Sequence, residues 1–424
     1  MIAGLYAGAA SLAEPGLRLL LARRARRGKE VAARLGERCG IDATPRPPGP
    51  LLWLHAASVG EAVSVLPVLE QLAAIAPSAR VLFTTGTVTS AALLARRLPE
   101  LGLGERVLHR FAPLDVPRWA ARFLDHWRPD AVAFVESEIW PNLLRACRRR
   151  RVPMVLLNAR LSARAFARWR GVPGLARTLF GAFACVEAQS AADAARLSAL
   201  GARAVRAPGN LKFAAPPLAV GAEELARLRT LLHGRPVWLA ASTHLGEEAA
   251  VLAVHARLAA THPSLLTVIA PRHPERGPVI AAAIAGPPVT RRALGEGPPA
   301  AGVWIADTLG ELGLLYAAIG IAFVGGSLVA HGGQNVLEPA RLGCAVAVGP
   351  HVANFAEPVA ALEAAGALTR VTDTESLAIW VDGLLRDPAR RATMAAAGQA
   401  AASRDAGLPR AVAAALATLL AGGA

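Results

Sequence analysis

LLWLHAASVGEA, residues 51–62, decides the architecture. An apolar run bounded by Pro-Gly-Pro ends in His55, passes through small residues, and then presents one carboxylate, Glu61. Five apolar or aromatic residues, Leu51 to His55, read as a strand buried on both faces, the pattern of a parallel sheet. Ala-Ala-Ser-Val-Gly has the composition of a tight loop, and Glu-Ala-Val-Ser-Val-Leu reads as a helix start. Glu61 therefore sits where a strand hands over to a helix, the place where α/β proteins gather their chemistry.

The same strand-then-helix alternation recurs along all 424 residues. Strands are predicted at 51–55, 80–85, 106–109, 131–135, 152–157, 185–188 and 204–207. The pattern then restarts at 237–241, 265–270, 302–306, 319–324, 345–348 and 368–371. Strands separated by helices imply parallel sheets with right-handed crossovers. That is too many strands for one open sheet. The reading is two doubly wound, Rossmann-like α/β domains facing each other across a cleft. An N-terminal membrane-associating segment covers 1–30, the first domain 31–215, a linker 216–222 and the second domain 223–424.

Composition narrows the setting. Hydrophobic content of 54% with a mean hydropathy of +0.38 excludes a disordered chain. Four scattered cysteines, Cys39, Cys147, Cys185 and Cys344, form no CxxC pair and read as small buried residues in a reducing compartment. A net charge of +15 calls for an anionic partner: nucleic acid, a lipid surface or a phosphorylated substrate. With 5% aromatic residues, dispersed arginines and no binding module, nucleic acid is the weakest of these. The basic residues are arginine except for Lys29 and Lys212. The first thirty residues are apolar to about Leu21 and then basic, but Glu14, Pro15 and Arg18 interrupt a transmembrane span. An interfacial helix, with Arg23, Arg24, Arg26, Arg27 and Lys29 toward anionic lipid, is the expectation.

Polar residues cluster at the strand ends. In the first domain, VAFVESEIWPNLL places Glu136 and Glu138 after a buried strand, and PGNLKF places Lys212 after another. In the second, Ser242 and Thr243 of ASTHLGEE stand at a helix start where they could donate to phosphate. APRHPER offers Arg272 and His273, and ADTLGEL follows a third strand. FVGGSLVAHGGQNVLEPA has two glycine pairs that let backbone approach a ligand, then Gln334 and Asn335 capping a helix that carries Glu338. None of these is GxGxxG or a P-loop.

Taken in order, LHAASVGE, ESEIWPNLL, NARLSARA, GNLKF, STHLGEE, PRHPER, DTLGEL and VGGSLVAHGGQNVLEPA resemble the 3-deoxy-D-manno-octulosonic acid (Kdo) transferases of Gram-negative bacteria. The resemblance implies an inverting, metal-independent glycosyltransferase of GT-B architecture with no cofactor. It implies a CMP-Kdo donor and a lipid A precursor (lipid IVA) acceptor at the cytoplasmic side of the cell inner membrane. Glu61 would be the general base, with Glu136 and Lys212 supporting the transition state. Pro271, Arg272, Leu309, Gly310, Glu311, Asn335, Val336, Leu337 and Glu338 would bind CMP. The N-terminus departs from the family's plainer membrane anchor. The rival enzyme reading keeps the fold and changes the donor, to a UDP-sugar transferase or epimerase.

Overall fold

The computed structural model describes residues 2–214, 218 and 220–422. Of the expected linker, Pro216, Pro217 and Ala219 lie outside the described residues. The chain divides into two compact units, Met1–Ala215 with Asp405–Ala424, and Pro216–Arg404.

The first unit holds a seven-stranded sheet in the order β3-β2-β1-β4-β5-β6-β7. Its strands are β1 (Leu51–Ala56), β2 (Arg80–Thr85), β3 (Val107–Phe111), β4 (Ala131–Val135), β5 (Met154–Ala159), β6 (Cys185–Ala188) and β7 (Val205–Arg206). Every pairing is parallel. The apolar run of β1 serves both faces: Leu52, Leu54 and Ala56 join one core, while Leu51 and Trp53 join the other. The strand order reverses between β1 and β4, so the loops after these two strands flank a topological switch point.

The second unit repeats the plan with the order β10-β11-β9-β8-β12-β13-β14, again all parallel. Its strands are β8 (Val237–Thr243), β9 (Leu266–Pro271), β10 (Val289–Arg291), β11 (Gly302–Ile305), β12 (Ile321–Val324), β13 (Ala345–Val348) and β14 (Leu368–Arg370). The edge strand β10 was not expected. It is three residues long, and all three are only partly buried. The periodic signal that marks a buried strand is absent from it.

The chain's end corrects the expected second domain of 223–424. The helix Leu408–Ala421 returns to the first unit, where Leu408, Val412, Ala413, Leu416 and Leu420 enter the core with Val65, Leu69 and Leu72 of the helix Val59–Ile75. Spacings of three and four residues put these side chains on one helical face. Asp405 fixes the return by accepting the Asn210 N–H at 2.9 Å. Gly209 passes so close, at φ +133, that a side chain there would meet the Asp405 carboxylate.

Three of the four free cysteines, Cys39, Cys147 and Cys344, are buried as expected, and Cys185 is partly so. Among the described residues no helix is long and apolar enough to cross a membrane. The N-terminal segment folds as two helices, Ile2–Leu12 and Glu14–Arg26.

Candidate functional site

In the first unit the site grows from the loop after β1. Ser58 caps the helix Val59–Ile75, its hydroxyl oxygen accepting the Glu61 N–H at 3.4 Å. The Glu61 carboxylate reaches back to accept the Ala57 N–H at 2.7 Å and the Ser58 hydroxyl at 2.9 Å. This is a reciprocal capping arrangement. A helix start by itself favours an ionised carboxylate. Burial instead dominates and pushes its carboxyl up, against the Ala57 and Ser58 hydrogen bonds, and the charges of Glu138 and Glu136 push the same way. The group is a more basic carboxylate than an exposed one.

The loop after β4 supplies two more carboxylates, and a turn sends them to different partners. Glu136 sits in the left-handed region at φ 60, a strain of about 1–3 kcal/mol that such sites tolerate. Its Oε1 lies 2.6 Å from Lys212 Nζ. The same oxygen is buried without a well-formed hydrogen bond among the described residues, so the contact is chiefly electrostatic. Glu138 lies 3.3 Å from His55 Nε2 and accepts the Trp140 indole N–H at 2.5 Å. Burial pulls the Glu138 carboxyl up, but the hydrogen bond and charge of His55, with the Trp140 bond, leave it below its ordinary value.

Lys212 is held by residues that the sequence did not single out. It lies in the single turn Leu211–Phe213, whose entry is capped by Asn210 Oδ1 accepting the Lys212 N–H at 3.0 Å. Buried Asn158, at φ 51 near the end of β5, accepts the Leu211 N–H at 2.9 Å. Glu61, Glu136 and Lys212 thus belong to loops at the carboxyl ends of one parallel sheet.

In the second unit, a cavity of about 170 Å³ lies at the ends of β8, β9 and β11 and brings together Pro271, Arg272, Leu309, Gly310 and Glu311. Ser242 joins its wall from a left-handed backbone at φ 55. Asn335, Val336, Leu337 and Glu338 are absent from that wall. The helix expected after Asn335 is only Leu337–Arg341, with Asn335 Oδ1 accepting the Leu337 N–H at 3.1 Å and its Nδ2 donating to Glu338 at 3.0 Å. Burial pushes the Glu338 carboxyl up, opposed by the Asn335 hydrogen bond and by the charges of Arg341 and Arg272. Arg272 is exposed and electrostatically connects the cavity to Glu338.

Two expectations for this unit change. Thr243 is fully buried and donates its hydroxyl to Glu248 at 3.0 Å, so of the two only Ser242 joins the cavity wall. Nor do the first glycine pair and the helix start surround an open anion site. The fully buried Glu247 carboxylate accepts four backbone N–H groups, from His244 at 2.9 Å, Gly326 at 2.7 Å, Ser327 at 3.0 Å and Leu328 at 2.9 Å. Gly325 is required there because a side chain would strike Ser242 O and Glu247. The Glu311 charge is already engaged, since Arg292 grips its carboxylate at 2.5 and 2.6 Å and Thr308 also donates to it.

Two parallel-stranded, Rossmann-like units with their polar residues at the strand ends define the GT-B class. A family model described as 3-deoxy-D-manno-octulosonic-acid transferase (kdotransferase) matches residues 33–215. The chain is 37% identical over 376 residues to the probable mitochondrial 3-deoxy-D-manno-octulosonic acid transferase of Arabidopsis thaliana, covering 85% of this chain and 83% of that one. It is 37% identical over 431 residues to the 3-deoxy-D-manno-octulosonic acid transferase of Bordetella pertussis, covering 96% and 97%. In fold alone it is similar to UDP-GlcNAc 2-epimerase from Neisseria meningitidis, with a TM-score of 0.53, 15% identity, and coverage of 88% of this chain and 100% of that one. The chain belongs to the 3-deoxy-D-manno-octulosonic acid (Kdo) transferase family.

Proposed function

We propose that this chain transfers Kdo from CMP-Kdo to a lipid A precursor, lipid IVA, with inversion at the anomeric carbon, at the cytoplasmic face of the inner membrane in lipopolysaccharide biosynthesis. The observation that carries the reading is Glu61: a carboxylate made more basic by burial, anchored at a helix start, with the Glu136–Lys212 pair in the same set of loops. Glu61 takes the proton of the acceptor hydroxyl as that oxygen bonds to the anomeric carbon. The bond from that carbon to the phosphate oxygen breaks on the opposite face, and CMP leaves with the electron pair. Lys212 offsets negative charge on the Kdo carboxylate or the departing phosphate, and Glu136 holds the ammonium in place.

The second unit takes CMP. Pro271, Arg272 and the 309–311 backbone line a cavity in it, and the Asn335–Glu338 pair suits the ribose hydroxyls. Arginine is suited to the phosphate. Membrane attachment is through the N-terminal helices, which expose Leu5, Leu12 and Leu19 alongside the arginines of the last turn. The test is incubation of the protein with CMP-Kdo and a tetra-acylated lipid A precursor, with products read by mass. A Kdo adduct with stoichiometric CMP is expected. Release of CMP without an adduct, or turnover of a UDP-sugar in its place, overturns the reading.

A further inference from the structure

A cavity of about 310 Å³ lies in the first unit beside the Glu61 loop. Leu17, Leu20 and Leu21 of the helix Glu14–Arg26 line it together with Pro113, Leu114 and Leu143. Ala57 lines it too, and Ala57 donates its N–H to Glu61 at 2.7 Å, so the cavity and the proposed base share a residue. Trp140, 37% exposed, joins the wall from the loop that carries Glu138.

The helical side of this cavity is braced. Leu21 is buried with Val116 and Trp119. Arg24 pairs with Glu30 at 3.1 Å, Glu30 pairs with Arg38 at 3.0 Å, and Arg38 donates to the Ala112 carbonyl at 3.1 Å. The cavity is therefore formed before anything enters it. The same helix exposes Leu19 at 74% and carries Arg23, Arg24 and Arg26 in its last turn.

Arg24, Glu30, Arg38 and His55 also line it, but the first three are paired with one another and His55 with Glu138, so the remaining wall is apolar and suits a hydrocarbon better than a sugar or nucleotide. An exposed apolar and basic surface on the same helix suits a molecule with an apolar tail and an anionic head. We infer that this cavity takes one acyl chain of the lipid acceptor and thereby sets the acceptor sugar against Glu61. The inference rests on the lipid acceptor of the proposed function and adds which part of it is recognised, and where.

The experiment measures the acceptor KM of the full-length protein in mixed micelles at fixed mole fraction, across acceptors whose acyl chains lengthen stepwise. A cavity of finite size predicts a fall of about fourfold per added methylene, then a plateau once it is full. Leu17→Trp and Leu114→Trp, which fill the space, should raise the long-chain acceptor KM about tenfold or more. They should leave the CMP-Kdo KM, and turnover on the chain-free sugar phosphate, unchanged. An acceptor KM that is independent of chain length, or that keeps falling without a plateau, overturns the inference while leaving the transfer reaction standing. So do filled variants that treat long-chain and chain-free acceptors alike. If either variant loses its cooperative thermal transition, the wild-type chain-length series decides alone. Absence of transfer by the wild type to every acceptor overturns the proposed function and this inference with it.

Discussion

Replacing Glu61 with glutamine separates its two roles. Glutamine can still accept the Ala57 N–H or the Ser58 hydroxyl, so the capping arrangement survives. Trading charged for neutral hydrogen bonds costs about 1 kcal/mol for each of the two. The opposing effect follows from the raised carboxyl. A carboxyl whose folded pKa exceeds its unfolded value stabilises the fold when protonated, below the unfolded pKa. That contribution is lost as pH rises through the folded pKa, so at neutral pH the buried charge is a cost that Gln removes. The two effects offset, and stability should change by no more than about 1 kcal/mol. Transfer should fall by about 10²–10⁴-fold, roughly 3–5 kcal/mol of barrier. The assay pairs turnover at saturating CMP-Kdo and acceptor with thermal unfolding and CMP calorimetry on the same preparation. In the wild type, the acid limb of kcat/KM should lie above that of an ordinary exposed glutamate. Glu138→Gln should move that limb to lower pH, because the Glu138 charge helps raise the Glu61 carboxyl. A Glu61→Gln enzyme retaining more than about a tenth of wild-type turnover would reduce Glu61 to a helix cap.

Lys212→Arg should impair turnover nearly as much as Lys212→Ala with CMP affinity little changed, because a point charge 2.6 Å from Glu136 is replaced by a wider planar fork; full activity in the arginine variant refutes the shape argument. Arg272→Ala and Glu338→Ala should each weaken CMP binding by roughly 1–3 kcal/mol by calorimetry, and unchanged affinity in both would remove CMP from the second unit. Glu247→Ala leaves four buried amides without their acceptor and should cost about 3–5 kcal/mol in urea unfolding; a loss below about 1 kcal/mol would mean the glycine loop holds itself. Changing Leu5, Leu12 and Leu19 together to Gln should reduce sedimentation with anionic vesicles while sparing transfer to a chain-free acceptor, and equal vesicle binding would move attachment to another surface.

How much of this was legible depends on what a residue's neighbours in the chain reveal. LLWLHA announced a parallel strand because burial on both faces leaves a run that is apolar but for His55. Val289–Arg291 announced nothing, since a half-exposed edge strand needs no such run. The helix Leu408–Ala421 showed the stripe by which it covers a sheet, but the same stripe fits either sheet, and the choice was made by Leu66, Leu69 and Asp405 across the fold. Glu61 and Lys212 stood out as isolated charges after buried strands, one at a helix start and one among arginines. Asn158 and Asn210 looked like ordinary loop residues. Their work lies in orienting Lys212 from positions that are distant or unremarkable in sequence.

The second unit shows where such reading turns. ASTHLGEE reads as a helix start that donates to phosphate, and the glycine pair of FVGGSLV as backbone open to a ligand, because helix starts and paired glycines present N–H groups that favour an anion. That physical inference was sound: four of those N–H groups do converge on a carboxylate. The anion is Glu247 of the same chain, and it joins the loop after β8 to the loop after β12 across the switch point of the second sheet. A pattern of donors specifies the charge that it accepts, not the molecule that carries it. Glu247 stands in the first turn of a helix, a position that does not announce burial, and its complete burial is a property of a loop about 80 residues further on. With those donors engaged, Arg272 and Ser242 of the neighbouring cavity are left to meet an incoming anion. On the proposed function, recognition of CMP then falls to these residues, while the amides of the glycine loop hold Glu247 instead.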